Sequence, residues 1–93
     1  MRAQLVKIGE KLGFETKLEY KAGIHEDRQD IIDVVWLSKN RIIIAFEIRC
    51  KRTNLHILSS VKDKKKLMRL NAREKFLINV SKTTGKTYFH RLL

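Results

Sequence analysis

The chain has 93 residues, 21 Lys/Arg against 10 Asp/Glu, a formal net charge of +11, a single cysteine and no proline. A chain of this size holds one modest core, so residues 1–93 are expected to form one domain. One cysteine excludes an internal disulfide, and scattered His25, His56 and His90 without a Cys pair argue against zinc. No apolar run approaches the roughly 20 residues that span a bilayer, and the N-terminus has no secretory signal pattern, so a cytoplasmic location is expected.

In chain order, Leu5, Ile8 and Leu12 form an apolar i, i+3, i+7 stripe, and Gly13 follows; the spacing predicts a helix over 2–12 with a left-handed glycine stop. From Phe14 to Ala22 apolar and charged residues alternate, the pattern of a half-exposed strand, and polar 23–29 reads as a loop. Two strands of largely apolar character, at about 31–37 and 41–50, are expected at the centre of a sheet, joined by the turn Ser38-Lys39-Asn40-Arg41. Cys50, on the apolar parity of the second, is expected to be a buried thiol, and Trp36 to be buried on the face opposite Asp33. A helix is predicted over 55–70, with Leu58, Val61, Met68 and the stem of Lys65 toward the sheet. Strands at 76–80 and 87–92, with a turn at 81–86 between them, complete the order helix, three strands, helix, two strands.

Two carboxylates interrupt the central strands. Asp33 lies within IIDVVW; Glu47 lies within IIIAFEIRCKR, where Ile43, Ala45, Glu47, Arg49 and Lys51 share one parity. Charges in buried strands are costly unless paired or bound to metal, so Asp33 and Glu47 mark a candidate site. Two hard oxygen ligands at one sheet edge suit a hydrated magnesium ion, and unrelated strand-end charges with Lys or Arg partners explain the same pattern.

The charge is unevenly distributed. Residues 1–47 carry 8 basic and 8 acidic side chains; residues 48–93 carry 13 basic against only Asp63 and Glu74. The whole excess therefore follows Glu47, which points to one polyanion-binding surface and favours nucleic acid over a membrane, since the basic helix lacks a broad apolar face. Lys62, Lys65, Lys66 and Arg69 of that helix, with Lys51, Arg52 and the loop residue Arg28, are the candidate phosphate contacts.

The element order, the acid in the second strand and Glu-x-basic in the third together resemble the PD-(D/E)XK nuclease superfamily, including archaeal Holliday junction resolvases. The resemblance spans nearly the whole chain and implies an α/β, restriction endonuclease-like domain with a central mixed sheet flanked by helices. It implies magnesium, or manganese in its place, held by Asp33 and Glu47, with Arg49 at the position of the activating Lys and Glu10 completing the site from the first helix. Arg49 departs from the pattern, because a permanently charged planar guanidinium clamps phosphate better than it activates water; Lys51, two residues on, is the alternative for that role. The implied activity is structure-selective or weakly specific DNA cleavage by a homodimer. Two alternatives stand beside it: a non-catalytic nucleic-acid-binding domain in which Arg49 neutralises the acids, and a basic subunit for an acidic protein.

Overall fold

The computed structural model describes residues 1–51, 57–82 and 84–92, with side-chain surroundings given for those outside 51–61. The elements are α1 (Arg2–Lys11), β1 (Glu15–His25), β2 (Arg28–Ser38), β3 (Arg41–Lys51), α2 (Ile57–Arg69), β4 (Glu74–Ser81) and β5 (Thr87–Leu92). All five strands form one sheet in the order β1-β2-β3-β4-β5, so β1 and β5 are its edges. The first three make an antiparallel meander, β3 and β4 run parallel across the α2 connection, and β5 returns antiparallel.

This corrects the expected restriction endonuclease-like class with a sheet flanked by helices. The chain is α/β only in the broad sense. Three 11-residue strands and two shorter ones outweigh helices of 10 and 13 residues, and the helices cover parts of a single dominant sheet. The main reason is local: 23–29, read as a loop, is mostly strand. A two-residue turn at Glu26-Asp27, with φ of 50° and 62°, closes a hairpin whose last pairs are Ile24 with Gln29 and His25 with Arg28. Lys39-Asn40 closes the next hairpin in the same way, with φ of 51° and 63°; paired positive φ values match the right-handed twist of the flanking strands.

Two irregularities decide which face each side chain takes. Leu18 pairs with Val34 and Tyr20 with Ile32, and between them Glu19, opposite Asp33, adopts φ of 49°. Past this point the pleat reverses. Ile32 and Tyr20 pack on the α2 side with Val35, Leu37, Ala45, Leu67, Leu70 and Leu77, whereas Val34, Trp36, Phe46 and Ile78 pack with Leu5 on the α1 side. The shift between Trp36 and Leu37 likewise sends Ile42 to the α2 side and leaves Ile44 on the other.

Helix α1 docks through Leu5 and Gly9, while Ile8 and Leu12 of the expected stripe are 49% and 63% exposed. The indole explains this. A Cβ on Gly9 would lie 2.6 Å from Trp36 Nε1 and 2.7 Å from Thr16 Cγ2, so only glycine lets the helix lie flat on the ring. Gly9→Ala should therefore destabilise the domain by about 1–3 kcal/mol despite alanine's better helix propensity; an unchanged urea midpoint would refute this contact. Cys50 is exposed rather than buried, because α1 packs on β1 and β2 and does not extend over the far end of β3.

Helix α2 turns a different side inward than expected. Asp63, Leu67 and Leu70, spaced i, i+4, i+7, are buried, while Met68 is 53% exposed and Lys65 is exposed. Leu58 and Val61, expected on the inner face, lie outside the described side chains.

Candidate functional site

Where the register would pair Asp33 with Glu47, the β2–β3 ladder gives way to side chains. The Asp33 N–H donates to Glu47 Oε1 at 3.0 Å, and the Ile48 N–H donates to Asp33 Oδ2 at 2.8 Å. Each carboxylate thus stands in for a missing backbone carbonyl. The acids do converge, with these strand-opening contacts between them.

The remaining oxygens meet cations. Arg2, at the start of α1, donates to Asp33 Oδ1 at 3.1 Å, and Lys66 Nζ of α2 lies 3.2 Å from Glu47 Oε2. Arg49 pairs with buried Asp63, and Lys66 lies 3.8 Å from the other Asp63 oxygen. Beyond this cluster Arg69 forms a two-pronged pair with Asp30, at 2.9 and 3.0 Å. The Arg69 hydrogen bonds hold the Asp30 carboxyl below its usual range, and Asp30 in turn raises Arg69.

Glu47 behaves differently. Only 3% exposed, it is pushed from 4.5 to about 7, chiefly by loss of water and then by the nearby Asp33 charge; Lys66 and the Asp33 N–H pull the other way. Burial outweighs the ion pair.

The positions expected from the sequence are thus redistributed. Arg49 neutralises Asp63 rather than Asp33 or Glu47, and Lys66 and Arg69, read as phosphate contacts, are partners of buried or half-buried acids. Glu10 is exposed and its side chain joins no ion pair or hydrogen bond among the described residues. Arg28 is exposed at the β1–β2 hairpin, and Lys62 and Lys65 are exposed on α2. The Lys51 side chain and the whole of Arg52 lie outside what is described. Sequence reasoning missed Arg2 and Asp63. Asp63 left a signal, since it is the only acid in the basic helix and stands three residues before Lys66; Arg2 left none.

The resemblance implies magnesium between Asp33 and Glu47, and the donor set does not fit it. All four carboxylate oxygens already meet donors, two of them backbone amides that the strand opening leaves without ladder partners. Among the described residues no three His, Cys, Asp or Glu side chains are grouped to hold a metal. The arrangement can store internal charge pairs and a proton on Glu47.

Outside this network, α2 presents Lys62, Lys64 and Lys65, exposed and without acid partners among the described residues. A groove of about 790 Å³ between α2 and β5 is lined by Lys64, Lys65, Met68, His90 and Leu92, together with Arg69 and Arg91, which pair with Asp30 and Glu74. No described helix is long and apolar enough to cross a membrane.

No family model and no curated protein matches the chain. Its fold is similar to the crystal structure of SSO0001, with a TM-score of 0.53 at 16% identity over 97% of this chain; it spans about half of that protein, 48%.

Proposed function

We propose that this domain binds the nucleic-acid backbone, DNA foremost, without cutting it, and that its strand acids serve as internal counter-ions. The observation that carries this reading is how α2 divides its charges. Asp63 and Lys66 turn inward into the network with Glu47 and Arg49, whereas Lys62, Lys64 and Lys65 are exposed and have no acid partner among the described residues. Three unmatched cations on one helix suit phosphates, each displacing condensed counter-ions. Such contacts position a protein without selecting a base sequence.

Binding of a labelled duplex, followed by fluorescence anisotropy across a salt series, tests this. Replacing Lys62, Lys64 and Lys65 together by alanine should lower the log–log salt slope by about 2–3 units, at roughly 0.9 per contact. Lys66→Ala should leave the slope nearly unchanged and act on stability instead. An unaltered slope in the folded triple variant would remove α2 from the interface. Magnesium-dependent cleavage by the wild type that disappears in Glu47→Gln would replace the binding reading with the nuclease one.

A further inference from the structure

Resting on that reading, we propose that the α2/β5 groove takes a single strand and that Tyr88 and Asn79 receive one of its unpaired bases. Tyr88 and Asn79 are direct partners across β5 and β4. Both lie on the α2 side of the sheet, because Leu77 and Leu92, two and four residues away in the same alternation, pack into the α2-side core. His90, between Tyr88 and Leu92, belongs to the groove itself. β5 therefore continues the groove wall with an aromatic ring that is 54% exposed.

The second observation is independent of charge. The Asn79 Oδ1 atom is buried and accepts no hydrogen bond from the described residues. A buried carbonyl oxygen without a donor is costly, and neighbouring Tyr88 does not satisfy it. Every nucleobase carries an N–H on its pairing edge, which duplex pairing hides and a single strand offers. A base lying on the Tyr88 ring presents that edge to the half-buried Asn79 amide, which must turn its oxygen outward to accept, while Lys64 and Lys65 on the opposite wall meet the phosphates. Aromatic stacking beside a basic track is the usual combination for single-strand binding, and it is tolerant of sequence because every base has a π-face.

The experiment uses the intact chain with three labelled probes: a single-stranded DNA oligonucleotide, the matching duplex, and an abasic strand of equal length. The wild type should bind the single strand more tightly than the abasic strand by about tenfold or more. Tyr88→Ala should lose that advantage with its salt slope unchanged, and Tyr88→Phe should keep it. Asn79→Ala should weaken single-strand binding severalfold while thermal stability holds or rises, which a merely structural asparagine would not do. Equal binding of single and abasic strands by the wild type, or unchanged single-strand affinity in both Tyr88→Ala and Asn79→Ala, overturns the inference and leaves the α2 salt slope standing. Failure of the wild type to bind any of the three probes overturns both readings.

Discussion

The free energy of unfolding should fall by up to about 3 kcal/mol between pH 5 and pH 8, and Glu47→Gln should remove that fall. Glu47 has a pKa of about 7 in the fold against 4.5 ordinarily, so between those values the native state binds more protons than the unfolded chain. Stability from this group is fully present below about 4.5 and is lost as pH rises through 7. Each pKa unit corresponds to about 1.4 kcal/mol, which sets the scale. Glutamine keeps an oxygen for the Asp33 N–H and cannot ionise. Asp30 acts oppositely, since its lowered pKa takes stability away only as the solution becomes strongly acidic. Urea unfolding of both proteins across this range gives the comparison, and the difference between the two curves isolates Glu47. Parallel stability curves would show that Glu47 is already ionised at pH 5 in the fold.

Trp36→Ala should cost about 3–5 kcal/mol, a large share of the roughly 5–15 kcal/mol that holds a domain of this size. The ring is 6% exposed, stacks on Phe14 at 5.6 Å and meets Phe46 edge-on at 4.8 Å. Its Nε1–H donates to the Leu5 carbonyl at 3.1 Å, tying α1 to the sheet. Truncation removes the surface on which Gly9 rests as well as the hydrogen bond, so amide exchange in α1 should rise more than in β3 or β4. Trp36→Phe keeps much of the packing and should cost less than half as much. A loss below about 1 kcal/mol by circular dichroism would mean that α1 collapses onto Phe14 and Phe46 without penalty. Wild-type emission should be blue-shifted and unmoved by DNA, because Trp36 and α2 lie on opposite faces.

Local patterns that report directly on backbone chemistry were legible in the sequence. The hairpin at Lys39-Asn40, the glycine after α1 at φ 88° and the burial of Trp36 all follow from short-range rules. The meeting of Asp33 and Glu47 was legible as well, since polar residues among apolar ones need partners. What stayed hidden depends on distant contacts. Hydrophobicity favours Met68 over Asp63 as an inward residue of α2, yet Asp63 is buried because Arg49 waits on β3. The α1 stripe misled for a similar reason: Gly9 has no hydrophobicity to count, and its value lies in letting the indole approach. Pleat reversal at Glu19 is a backbone event at a residue type that gives no such hint, so the alternation through Ile32 pointed to the wrong face.

The two edges of the sheet are guarded unequally. β1 carries Lys17 and Lys21, a reversed pleat at Glu19 and a further irregularity before Gly23, all of which hinder another strand from adding alongside it. β5 is a regular six-residue strand, and Tyr88 and Phe89 on its two faces are both more than half exposed. When neighbouring molecules crowd together and salt screens the +11 charge, β5 is where one chain would recruit another. Self-association during concentration or storage should therefore begin there, and Phe89→Lys should suppress it without touching the ion network.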